Sequence, residues 1–218
     1  MTDKLKALQS ILSLFAIFIV ISMLVIFVWA GTAGIEAVNY NVMEFFYLCV
    51  IMLLLYFYSK SQDINLWKSE TTFTLKWVIF SVTLGVLFAL FMLVFFKYMN
   101  HLPTHKPTYT TFGFIYAEII SIGILVPFVE EYCFRKWIVL YMEKHDFSKY
   151  TIILVSSILF YLWHQNFVSF DKAWRVDTIV IGIVQCLLFM KTRNIYYCII
   201  AHGVANVSLH ALEYQLLF

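Results

Sequence analysis

The fold class this sequence predicts is all-α: a polytopic transmembrane helix bundle of about seven spans. Three observations predict it. The chain of 218 residues is 62% hydrophobic and 13% charged, where a soluble domain sits near half apolar and a quarter charged. Long apolar runs recur along its length, separated by short polar breaks. The runs do not alternate as the strands of a membrane barrel do, and backbone in lipid must satisfy its own hydrogen bonds, so the runs are helices. Twenty-two Phe, 14 Tyr and only three Pro fit the same class.

A span needs about 20 apolar residues, and seven candidates follow in order. The first, 11–30, comes after Lys4 and Lys6 and before "WAGTAG", features shared with a cleaved signal peptide. It is longer than a usual signal core and further spans follow, so it reads as a true first span. The second and third are 41–58 and 76–96. The fourth, 112–140, is long and contains Pro127, which predicts a kink. The fifth is 150–167, the sixth a short 176–190, and the seventh 195–216. Trp29, Trp67 and Tyr197 near run ends read as an interfacial belt. Cys49, Cys133, Cys186 and Cys198 lie in apolar runs without CxxC spacing and read as small buried hydrophobes.

Lys and Arg set the orientation. With the N-terminus inside, the inner segments carry Lys4, Lys6, Lys60, Lys68, Lys76, Lys136, Lys144, Lys149, Lys191 and Arg193. The outer segments carry Lys97, Lys106, Lys172 and Arg175. The expected topology is therefore N-terminus cytosolic and C-terminus outside. A net charge of +2 without a basic cluster argues against a nucleic-acid partner; the partner that composition implies is membrane lipid.

An ionisable side chain at mid-membrane costs about 2.5–3.5 kcal/mol on insertion scales, so polar residues inside the spans carry the information. They are Glu130, Glu131 and Arg135 in "VPFVEEYCFRKW", His164 in "FYLWHQN", and His202 and Asn206 in "AHGVANV". Helical geometry sorts them. Glu131 and Arg135 stand one turn apart and can pair, whereas Glu130 points about 100° away and has no local partner. His202 and Asn206 share a face, and Phe160, one turn before His164, can pack on its imidazole. Taken singly, each histidine reads as a helix–helix hydrogen bonder and Glu131–Arg135 as a structural pair. Together, a free carboxylate and two imidazoles are the material of general-base chemistry or of a metal site. Depth is a partial check. Counted from ends near Leu140, Ile195 and Tyr150, Glu130 lies about 15 Å deep, His202 about 10 Å and His164 about 21 Å, so His164 fits least well.

"EEYCFR" is EExxxR, "FYLWH" is FxxxH and "HGVAN" is HxxxN, in that order and each within an apolar run. The pattern resembles the CAAX protease and bacteriocin-processing (Abi) family of intramembrane proteases, over roughly residues 112–208. The resemblance implies N-terminal transmembrane helices over 1–108 and a four-helix catalytic core over 109–218 that hydrolyses peptide bonds. It implies Glu130 as general base, His164 helping to hold the attacking water, His202 and Asn206 stabilising the oxyanion, and Arg135 holding Glu131. It leaves two chemistries open: Glu130, His164 and His202 as zinc ligands with a fourth position for water, or the same groups acting directly. The family often has Gly after the arginine and this chain has Lys136, a departure that touches packing more than chemistry.

The expected function is an intramembrane endopeptidase acting on a membrane-associated peptide or lipid-modified protein, in bacteriocin or peptide-signal processing or self-immunity, in a bacterial plasma membrane. The alternative is a catalytically silent immunity or interaction protein of the same fold. A bis-histidine haem protein leaves the Glu130–Glu131–Arg135 cluster unexplained, and a transporter would show inverted repeats with broken helices.

Overall fold

The computed structural model describes residues 3–31, 37–68, 71–98, 115–164 and 177–217, with side chains inside the helices described except at 22–23, 25–31, 37–46, 115–118 and 213–217. Those residues form helices without a strand: α1 (Asp3–Gly31), α2 (Ala37–Ser61), α3 (Leu75–Tyr98), α4 (115–144), α5 (Lys149–Trp163), α6 (Asp177–Thr192) and α7 (Ile195–Leu217). Each corresponds to one of the expected apolar runs. Among the described residues, Asp3–Ile21 of α1, all of α3 and Ile195–Leu212 of α7 are long and apolar enough to cross a membrane. Large apolar side chains such as Leu12, Leu53, Ile79, Leu87, Val94 and Leu154 point outward. An aqueous domain would not expose so continuous an apolar surface, and lipid accommodates it.

α5 differs from its expected extent. It has 15 residues, about 22 Å against a hydrocarbon thickness of about 30 Å. Residues 165–167 of the expected span lie outside the described residues. His164 is therefore not a mid-helix residue: it caps α5, with φ −84° and ψ −3°.

Three connections and the N-terminus share one end of the bundle. Lys144 Nζ donates to Gln62 O, Arg193 pairs with Glu143 at 2.9 Å, Thr71 Oγ1 donates to Thr192 O at 2.7 Å, and Lys4 lies over the Phe147 ring. The connections after α2, α4 and α6 thus meet, as an odd–even sequence of spans requires. Lys136, at the family's frequent glycine position, is buried and donates to Lys68 O at 2.6 Å, which ties the α2–α3 connection to α4.

One hydrophobic core runs from Ala7 and Ile11 of α1 to Leu209 of α7. α3 lies along α7, and glycine permits the approach: a Cβ on Gly85 would stand 2.5 Å from Ala201 O. Two expectations are corrected. Tyr197 is not interfacial but buried, with its hydroxyl accepting from Thr74 N at 2.6 Å. Its neighbours are the backbone of the α2–α3 connection, which folds over the end of α7. Cys49 faces outward, whereas Cys133, Cys186 and Cys198 are buried as expected, and all four thiols are free.

Candidate active site

The site begins with a change of helical register in α4. Ile115–Leu125 and Tyr132–Trp137 are wound as π-helix, and Val126–Glu131 between them as α-helix with Pro127 in its first turn. Pro127 has no N–H and its ring crowds the preceding turn, so carbonyls about one turn before it lose a donor. In π winding, the N–H that would reach Ile122 O belongs to residue 127. Asn206 replaces it: its Nδ2 donates to Ile122 O at 3.1 Å. One turn back on α7, Gly203 packs on the Gly123 carbonyl so closely that a Cβ would collide with it. The feature at Pro127 is thus a register change that opens α4 to α7, and the HxxxN face occupies the opening. The second π segment has its own tie: Ser156 of α5, fully buried, donates to Phe134 O at 2.7 Å.

The helix lengths bring Glu130 and His164 to a common level. α4 continues to Lys144, not Leu140, so Glu130 stands fourteen residues, about 21 Å, from its end. His164 stands fifteen residues, about 22 Å, from Lys149. The mismatch in expected depth between Glu130 and His164 came from ending the fourth span too early, because Tyr141, Met142 and the polar Glu143–Lys144 continue the helix past the apolar run.

Glu130 and Glu131 face different partners, as their 100° offset requires. Glu131 Oε2 lies 3.3 Å from Arg135 Nε, with both side chains fully buried. Its other oxygen, Oε1, is 2.8 Å from His202 Nδ1. Glu131 therefore does more than pair with Arg135: it bridges the arginine to a motif histidine and, accepting from Nδ1–H, fixes which ring nitrogen faces the site. Phe160 O accepts from His164 Nδ1 at 2.8 Å and does the same for the second ring. Both histidines then present Nε2 to one atom, Glu130 Oε2, at 3.6 Å from His164 and 3.7 Å from His202. That oxygen is buried and has no hydrogen-bond partner among the described residues.

The aromatic support is denser than the motif spacing suggested. Phe160 packs on His164 with ring centroids 4.3 Å apart and meets His202 edge-on at 5.8 Å. Its face also carries the Arg135 guanidinium at 3.8 Å, a cation–π contact that desolvation strengthens. Spacing alone missed two features, the Glu131–His202 bond and Trp163. The indole Nε1 of Trp163 donates to Glu130 Oε1 at 2.8 Å. Trp163 directly precedes the motif histidine, a position at which an indole near a run end reads as interfacial. Asn206 is half-buried and bonded to the backbone of α4; its second N–H is the one available for other work.

Zinc can be tested against this arrangement. Glu130, His164 and His202 are the expected ligands, and Glu130 Oε2 is near both imidazoles. Among the described residues, however, no group of three or more His, Cys, Asp or Glu side chains forms a metal-binding cluster. His202 has its other nitrogen engaged by Glu131, an arrangement that a metal-bound histidine also uses. Glu130, His164 and His202 are the residues that would hold zinc, with Nε2 of each histidine 3.6 and 3.7 Å from Glu130 Oε2; the same three side chains, a carboxylate and two imidazoles, can also act directly on water.

Residues 112–208 match the model of a protein family described as type II CAAX prenyl endopeptidase, Rce1-like. No curated protein and no solved structure matches the chain. The matched segment carries all three motifs, in order, on the helices that gather Glu130, His164 and His202; over residues 112–208 the chain is similar to the Rce1-like family of type II CAAX prenyl endopeptidases.

Proposed function

We propose that this protein is an intramembrane endopeptidase that hydrolyses a peptide bond of a lipid-modified or otherwise membrane-associated peptide by glutamate-activated water. The observation that carries the proposal is the convergence of His164 Nε2 and His202 Nε2 on Glu130 Oε2. Separations of 3.6 and 3.7 Å exceed a direct hydrogen bond and suit groups that share a small reactant. Water held between Glu130 and His164 attacks the scissile carbonyl as its proton passes to Glu130 Oε2. The developing oxyanion is stabilised from α7, by His202 and the second N–H of Asn206. Donation from His202 Nε2 requires the doubly protonated ring, with Glu131 on Nδ1 as counter-charge. The carbon–nitrogen bond then breaks as Glu130 returns the proton to the leaving amine. Arg135 holds Glu131, and Phe160 supports both.

The family's description as a prenyl CAAX endopeptidase directs the choice of substrate to a prenylated CAAX peptide. Processing of a bacteriocin or peptide signal is a second setting for the same reaction. The excess of Lys and Arg at one end of the bundle supports a cytosolic N-terminus, and the proposed setting is a bacterial plasma membrane.

The test is cleavage of an internally quenched farnesylated CAAX peptide by the protein in detergent micelles. Glu130→Ala should lower the rate about 10²–10⁴-fold, the usual cost of losing a general base, at unchanged membrane abundance. Full activity of Glu130→Ala at normal abundance would overturn the mechanism, and no cleavage by the wild type would leave the non-catalytic immunity role in its place.

A further inference from the structure

The base has a second oxygen, and what holds that oxygen is not one of the named residues of the three motifs but an x position of FxxxH. We infer that Trp163 is the positioning residue for Glu130: its indole N–H pins Oε1, so that Oε2 is the oxygen turned to the two histidines. The inference rests on the proposed role of Glu130. A carboxylate can rotate to exchange its oxygens, and Glu130 is nearly fully buried, so an unpinned group would be free to swing Oε2 away from both imidazoles. Trp163 Nε1 at 2.8 Å from Oε1 is the only hydrogen bond to this carboxylate among the described residues.

The indole is itself held. The Tyr47 ring of α2 stacks on it at 6.2 Å and 8°. Phe134 of α4 packs at 6.0 Å and Phe15 of α1 at 6.4 Å. A donor fixed on three sides by rings keeps its direction, as precise placement of a reacting group requires. Two of those rings lie before residue 112, so helices outside the family-matched segment hold the carboxylate through Trp163. The placement also explains why α5 stops at Trp163. With His164 in the cap position, two successive residues reach the same carboxylate, one at each oxygen.

Two measurements test this, both on the full chain in detergent micelles. The first needs no substrate. In protein labelled with 15N-Trp, the indole resonance of Trp163 is assigned by its disappearance in Trp163→Phe. Glu130→Gln should shift that resonance more than those of the other indoles, because its acceptor changes from carboxylate to amide. A resonance that stays in place overturns the contact. The second follows cleavage of the farnesylated CAAX peptide. Trp163→Phe keeps an aromatic ring and removes the N–H. A hydrogen bond to a charged group accounts for roughly 10- to 100-fold, and here the loss should fall in kcat with KM unchanged. Replacing Trp163 with benzothienylalanine, which keeps the bicyclic shape and lacks the N–H, should reproduce the loss; 7-azatryptophan, which keeps the N–H, should restore the rate. Wild-type kcat in Trp163→Phe beside an inactive Glu130→Gln overturns the positioning role and spares the proposed function. Full activity of Glu130→Gln, or no cleavage by the wild type, overturns the proposed function and the positioning role with it.

Discussion

Removing Arg135 should unbalance the bundle more than removing the base, and the structure gives the size of the effect. Arg135 and Glu131 are both fully buried and 3.3 Å apart, the guanidinium lies 3.8 Å over Phe160, and Glu131 also accepts from His202. Arg135→Ala leaves Glu131 as a buried carboxylate without its cation, at about 3–5 kcal/mol. It also removes a desolvated cation–π contact of about 2 kcal/mol. A net loss of about 5 kcal/mol in a chain of this size corresponds to about 10–20 °C in Tm. The assay is thermal unfolding in detergent micelles, with membrane abundance measured in parallel. Arg135→Met combined with Glu131→Gln should recover most of the loss, because no unpaired charge remains buried. Arg135→Lys should recover only part, since an ammonium keeps the charge and loses the planar stack on Phe160. A melting temperature for Arg135→Ala within about 2 °C of wild type would refute the reasoning, since the pair would then contribute nothing that its burial implies.

Three further outcomes follow from the same geometry. Gly203→Ala places a methyl group against the Gly123 carbonyl, backbone that cannot yield; α7 must retreat, costing about 1–3 kcal/mol and most activity, and a fully active, fully stable variant would contradict the packing. Cleavage of the CAAX peptide should continue in the presence of a zinc chelator, and loss of activity that returns with added zinc would show that His164 and His202 act as ligands instead. Lys191→Cys, exposed beside the Trp77 ring at the cationic end, should react with a membrane-impermeant maleimide only after permeabilisation; labelling in intact cells would reverse the proposed orientation.

The sequence by itself determined the class of the protein and the partners available along a single helix. Composition and the lengths of apolar runs fix a helical membrane bundle, because lipid admits no other way for these segments to satisfy their backbone. The i,i+4 rule is local, so it yielded the Glu131–Arg135 pair, the separate direction of Glu130, and Phe160 beneath His164. The tertiary structure decided whatever depends on two helices meeting. That Glu131 also serves His202 depends on α4 and α7 crossing at the Gly123–Gly203 contact, and no spacing within one helix encodes that crossing. That Asn206 completes the backbone of α4 depends on the carbonyl left without a donor before Pro127, where the sequence alone suggested a kink. That Trp163 reaches Glu130 depends on α5 ending one residue before the motif histidine. Helix ends are set by competition between local winding and distant contacts, so the apolar run, which continues past that point, could not reveal it.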